Sequence, residues 1–267
     1  MSSFDEKIFN AVSDLTTLTN NPFKGKWVSI LGDSISTYDK YIPSGYTTYY
    51  PTSDVNDVSK TWWHILLTKL GAKLCVNNSN GARSVFNDST GTDITKDELN
   101  KLHRVKGQEY INLDGTKETA TADIKPDIIL VLLGTNDFTD GIKLGELIKN
   151  SAGTSNFNTN FYQSYNAMLL NLIVNYPNAH VYCLETTYNN KFNFLGKNSA
   201  NNYQSEFNLA IEETARIYGV HCIHTSKLPI TQTNKDTYLL SNVHPKAAMM
   251  NMIANQCYRE MVADNCL

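Results

Sequence analysis

Long hydrophobic runs are missing from this chain. No window of about 18 apolar residues occurs among its 267 residues, so the sequence contains no candidate membrane-spanning helix. An excess of basic charge is missing too. The formal net charge is −3, which argues against a nucleic-acid partner, because phosphate-backbone recognition needs a basic face. The N-terminal stretch MSSFDEKIFNAV has Asp5 and Glu6 where a secretory signal would be basic, and only a short apolar patch follows. The chain as given is therefore expected to be cytoplasmic; a mature chain that had lost an export signal would read the same way.

Cysteines are few and badly spaced for crosslinking. There are five, an odd number without close pairs, which argues against a disulfide framework. Cys75, Cys183 and Cys222 lie in or beside apolar runs, where a thiol behaves as a small buried hydrophobe, and Cys266 is the expected exposed thiol. His221 and His224 lack neighbours at zinc-ligand spacing. No metal and no cofactor are expected. Internal repeats, low-complexity tracts and linker-like shifts in composition are also absent, so residues 1–267 are read as one domain.

What the chain does contain is ordinary core material, 41% hydrophobic against 18% charged. Strands are expected at 26–31, 72–77, 127–133, 179–185 and 219–224. The third, DIILVLL, is continuously apolar, as a strand buried on both faces of a parallel sheet should be. Helical spacing marks 60–70, 160–176, 203–218 and 245–262, the last with Pro245 in its first turn, and a leading helix is expected at about 5–18. Alternating strands and helices predict an α/β sandwich around a mostly parallel sheet. The polar segment 86–125 reads as an insertion, with a helix in LNKLHRV and a β-hairpin around Asp114-Gly115.

Ligands of open parallel sheets bind beyond the carboxyl ends of the strands. After the first strand comes Gly32-Asp33-Ser34; after the second, Asn77 to Ala82; after the third, Gly134-Thr135-Asn136-Asp137; and before the last helix, His244. Taken singly, Asp33 or Ser34 is a helix cap, Asn136 or Asp137 another, Gly81 a turn residue and His244 a surface residue. Taken together they form a rim with a hydroxyl, amide-rich turns and an imidazole. A histidine can take the proton from a serine and return it to a leaving group, and N–H groups can hold an oxyanion. The shared chemistry is acyl transfer.

The blocks GDSIS, the turn at Gly81, GTND and VHP resemble, in order, those of the SGNH or GDSL hydrolases, over residues 26 to about 262. The resemblance implies a flavodoxin-like three-layer sandwich with a five-stranded, mostly parallel sheet in the order 2-1-3-4-5. It implies Ser34 as nucleophile, His244 as base, and an oxyanion hole of Ser34, Asn136 and either Gly81 or Ala82. YIPSGYTTYYP followed by KTWWHILL is similar to a bacterial subgroup linked to carbohydrate deacylation. The expected substrate is thus a small-molecule or carbohydrate ester, and the expected enzyme a serine esterase. Tyr46, Tyr49 and Tyr50 lie in the loop after the nucleophile and are expected either to wall its pocket or to pack on Trp62 or Trp63.

The chain departs from the family pattern twice. Counting from Asn77, the expected glycine falls on Ala82, with Gly81 one residue earlier. The acid usually found three positions before the base is Ser241. His244 is then expected to be oriented by the Ser241 hydroxyl or a nearby main-chain carbonyl, with Asp236 as a more distant substitute. The missing acid and the abundant tyrosines keep a second reading open: a non-catalytic carbohydrate-binding relic of the same fold.

Overall fold

The computed structural model describes residues 21–87, 93–147, 157–192 and 196–264. The leading helix expected at 5–18 and Cys266 lie outside them. Strands β1 (Trp27–Gly32), β2 (Lys73–Asn77), β5 (Ile128–Leu132), β6 (His180–Leu184) and β7 (His221–Ile223) form one sheet in the order β2-β1-β5-β6-β7, every neighbouring pair parallel. The intervening β3 (Glu109–Ile111) and β4 (Lys117–Thr119) form a separate antiparallel hairpin around Asp114-Gly115. With those two set aside, the order is the flavodoxin-like one.

The apolar alternation along each strand feeds two separate cores. Val28, Ile30, Ile128, Leu130, Leu132 and Leu184 pack on one face, beneath α1 (Trp62–Leu70) and α7 (Ala247–Asp264). Leu31, Ile129, Val131, Val181 and Cys183 pack on the other, beneath α4 (Phe161–Asn175) and α5 (Gln204–Tyr218). Each such side chain contributes roughly 1.5–3 kcal/mol by leaving water. Every residue of β5 is buried, as expected for the middle strand of a sheet covered on both faces. α1 ends where Gly71 turns left-handed, at φ 62°, and donates its N–H to Leu67 and Thr68 carbonyls.

Two local expectations fail. The helix placed in LNKLHRV is instead α2, Lys96–Asn100, capped by the Thr95 side chain at the Glu98 N–H. It stops early because Arg104 is drawn into another role. Arg104 pairs with Ile124 as an isolated antiparallel bridge, and its buried guanidinium donates to the Cys75 carbonyl at 2.9 Å and the Leu74 carbonyl at 2.8 Å. The segment thereby covers the open side of edge strand β2. Pro245 likewise follows the short helix α6 (Lys235–Tyr238) and precedes α7 rather than starting it. It bridges to Leu239, while Leu240 N–H donates to the His244 carbonyl and Lys246 N–H to the Tyr238 carbonyl. This tight return of the chain through 241–243 presents His244.

Candidate active site

β1 delivers Ser34 to the rim. Asp33 ends the extended run, and its Oδ1 accepts the Ile35 N–H at 2.9 Å, opening a short 3-10 turn at Ser34–Ser36. A side chain at Gly32 would bring a Cβ within 2.6 Å of Ser36 Oγ. The turn is held from below by Trp62 Nε1 on Ser36 Oγ (3.1 Å) and Trp63 Nε1 on the Ser36 carbonyl (3.0 Å). Asp33 is wholly buried, and burial outweighs its Ile35 hydrogen bond to push its carboxyl up to about 7.

His244 Nε2 lies 2.8 Å from Ser34 Oγ, although 210 residues separate them in the chain. On the other side of the ring, Nδ1 lies 2.8 Å from Ser241 Oγ. One face of the imidazole is covered by Tyr49, whose ring stacks at 3.4 Å with an interplanar angle of 4°. This half-burial pulls the imidazole down from 6.5 to about 4, because the charged form is poorly solvated there.

Asn136 sits in the first turn of α3, Thr135–Thr139, just beyond β5. Its Nδ2 donates to the Arg83 carbonyl at 2.8 Å, so one N–H anchors the amide and the orientation of the other is fixed with it. The next residue, Asp137, is buried and accepts from the N–H groups of Val85 (3.0 Å) and Phe86 (2.8 Å). Burial nevertheless pushes its carboxyl up to about 7. Asn136 and Asp137 together clamp the chain that follows the second turn.

At that turn, Gly81 N–H donates to the Thr47 carbonyl at 2.8 Å, and a Cβ on Gly81 would lie 2.9 Å from Thr47 Cγ2. Glycine is required for this close approach between the turn and the aromatic loop. Ala82 is exposed and left-handed, with φ 59°.

The chain matches the family model for GDSL-like lipase/acylhydrolase over residues 26–261. The chain belongs to this family. This GDSL-like hydrolase is an ester-hydrolysing enzyme by that membership. It is similar to the solved structure of a Bacteroides ovatus protein assigned as a GDSL-like lipase, with 25% identity, coverage of 90% of this chain and 99% of that one, and a TM-score of 0.63. A counterpart from Bacteroides uniformis is 24% identical, with coverage of 90% and 96% and a TM-score of 0.62. The fold is also shared with an active-site mutant of a family two carbohydrate esterase from Clostridium thermocellum. That match is 15% identical, covers 89% of this chain and 63% of that one, and has a TM-score of 0.51. No curated protein matches the sequence.

Within the hydrolase, the three loop tyrosines have three different fates. Tyr49 is against His244. Tyr50 is no pocket wall: it is wholly buried, and its hydroxyl donates to the Pro245 carbonyl at 2.8 Å, supporting the histidine turn from the core. Tyr46 turns away to donate its hydroxyl to Glu98 Oε2 at 2.5 Å. As the packing alternative expects, Tyr50 lies in the core cluster that holds Trp62 and Trp63, and Tyr41 of the same loop packs on Trp63, ring centroids 5.6 Å apart. Asp236 does not reach His244; its side chain is 91% exposed and pairs with Lys235 Nζ at 2.7 Å. Glu185, another carboxylate on the rim, accepts from the Ser226 hydroxyl at 2.5 Å.

Sequence reading passed over Thr47, Arg83 and Glu98, which hold the turn together. It also passed over a group at the β6–β7 side of the rim. There Glu185, Glu212 and His224 bring ligand-type atoms within 4.8 Å of one another, with His224 Nδ1 bound to Glu260 at 3.1 Å. These four come from separate elements, so no spacing in the sequence signals them.

Proposed function

We propose that the enzyme is a serine esterase that removes a short acyl group, acetyl foremost, from an oxygen ester of a carbohydrate or similar small molecule. The observation that carries this reading is the 2.8 Å approach of His244 Nε2 to Ser34 Oγ at the carboxyl edge of the sheet. In the acylation step, neutral His244 takes the Ser34 proton on Nε2 as Oγ attacks the ester carbonyl. The tetrahedral oxyanion is held by the Ser34 N–H and the Asn136 side-chain amide. The turn at Gly81 and Ala82 is the expected source of a third donor; in this structure the Gly81 N–H donates to the Thr47 carbonyl. The protonated imidazole then gives its proton to the departing alkoxide, leaving Ser34 acylated. Water repeats the cycle and releases the acid.

Ser241 takes the place of the usual carboxylate. In the productive tautomer the Ser34 hydroxyl donates to Nε2 and the Ser241 oxygen accepts the Nδ1 proton, without a compensating negative charge. A carbohydrate alcohol is supported by the name of the Clostridium thermocellum relative and by the tyrosine-rich loop. A purely sugar-binding role would leave the aligned serine and imidazole without use. Hydrolysis of p-nitrophenyl esters of increasing chain length tests the reading: turnover is expected, fastest for acetate, and a folded protein with no turnover on any of them would refute it.

Two further outcomes follow from the state of His244. The base works only when neutral, so lowering its pKa moves the loss of activity to lower pH. The acid limb of kcat/KM is expected near pH 4, with activity close to its plateau at about pH 5. A limb at 6.5 would show that burial does not govern the base. In Ser241→Asp, an exposed position leaves room for a carboxylate. That variant should raise kcat several-fold and move the acid limb upward, because a negative charge stabilises the imidazolium that forms. A folded Ser241→Asp enzyme with unchanged kcat and pH profile would rule out Ser241 as the orienting group.

A further inference from the structure

Glu98 lies in the segment between β2 and β5, outside every block that identifies the family. Its carboxylate is nonetheless a junction of the loops around the oxyanion. Oε2 accepts from Arg83 Nη2 at 2.6 Å and Tyr46 Oη at 2.5 Å, while Oε1 accepts from Lys101 Nζ at 2.5 Å. The Glu98 main-chain carbonyl accepts from Asn78 Nδ2 at 2.8 Å. Arg83 is 1% exposed, and its Nη1 also donates to the Asn78 carbonyl. The main-chain oxygen of the same Arg83 receives the Asn136 amide at 2.8 Å. A continuous route therefore runs from Glu98 through the Arg83 side chain and backbone to Asn136.

A buried guanidinium holds its backbone in place only while its charge is matched. Burial pushes the Glu98 carboxyl upward, but hydrogen bonds from Lys101 and Tyr46 and the Arg83 charge outweigh it and hold the group below the ordinary carboxylate range. The charge is thus present at neutral pH. The guanidinium also has the fork geometry that lets it meet Glu98 and Asn78 at once, which an ammonium cannot reproduce.

We propose that Glu98 is a positioning residue for the oxyanion donor Asn136, acting through Arg83. The inference rests on the reading of Asn136 as that donor. Glu98 touches no reacting atom; it fixes the height and tilt of the Arg83 carbonyl on which the Asn136 amide hangs. A displacement of about 1 Å at a catalytic group can cost on the order of 10²-fold, so removal of the Glu98 charge should appear in kcat rather than in KM.

The test is a double-mutant cycle on p-nitrophenyl acetate hydrolysis with Glu98→Gln, Asn136→Ala and the pair, with folding checked by thermal melting. Glu98→Gln is expected to lower kcat by roughly 10- to 100-fold with KM within about twofold, and the double variant should be no slower than Asn136→Ala alone. Multiplicative losses would overturn the proposal, as would a Glu98→Gln effect confined to KM or a wild-type kcat. If Glu98→Gln melts below the assay temperature, Arg83→Lys interrogates the same link and carries the same expectations. A full-strength Asn136→Ala enzyme would sink the oxyanion assignment itself, an outcome distinct from additive losses in the cycle.

Discussion

Ser34→Ala is expected to lower kcat for ester hydrolysis by on the order of 10⁴- to 10⁶-fold, the range seen when a nucleophilic serine is removed from an otherwise intact site. The methyl group of alanine cannot form the acyl-enzyme, so only background catalysis by the oxyanion donors survives. The fold should be unaffected. The Ser34 side chain is at the rim, and the turn that carries it is held by the Asp33 carboxylate, Trp62 and Trp63. Loss of the Ser34–His244 hydrogen bond costs at most about 1 kcal/mol at a partly exposed site. Steady-state kinetics of a preparation free of contaminating esterase checks this, and retention of most activity would remove Ser34 from the mechanism.

Asn136→Ala should lower kcat by roughly 10²- to 10³-fold, the cost of losing one preorganised oxyanion donor. The effect belongs in kcat because the tetrahedral oxygen, more than the ground-state carbonyl, needs the donor. The variant also removes the hydrogen bond from the Asn136 amide to the Arg83 carbonyl. Thermal stability should fall modestly, by about 1 kcal/mol. A loss confined to KM would recast Asn136 as a ground-state binding residue.

The sheet could be read from the chain because its signal is local. DIILVLL is apolar throughout and became the wholly buried β5, while the alternation in WVSILG separated Val28 and Ile30 from Leu31 onto opposite faces. The rim residues were visible for the same reason: each follows directly on a strand end or precedes a helix. Contacts between distant segments were not visible. Tyr49 and Tyr50 are adjacent and alike, yet one covers His244 and the other fills the core. Nothing in YTTYYP says which way the chain faces. Arg104 and Glu98 lie in a polar stretch whose composition suggests a solvated insertion. Their buried pairings depend on where β2 and the second turn are in space. The early end of α2 has the same origin, since helix propensity in LNKLHRV is overridden by the claim of the sheet edge on Arg104.

The absence of an acid before the base is the feature that most distinguishes this site from the family pattern. With the Ser241 hydroxyl at Nδ1 and Tyr49 over the ring, His244 is a weakly basic imidazole with a neutral partner where the family pattern has a carboxylate. The expected enzyme is slower than one with a carboxylate in that place and keeps its activity further into acid. That trade follows from the same burial and the same hydroxyl, so the pH profile and the Ser241→Asp variant should move together.

The claim at the centre of this account is that His244 makes Ser34 a nucleophile. Mass spectrometry of the folded protein after treatment with a fluorophosphonate measures that most directly. The account predicts one phosphonyl adduct per chain, on the peptide containing Ser34, formed slowly or not at all in His244→Ala. An unlabelled chain, or an adduct on another serine with Ser34 untouched, would contradict it.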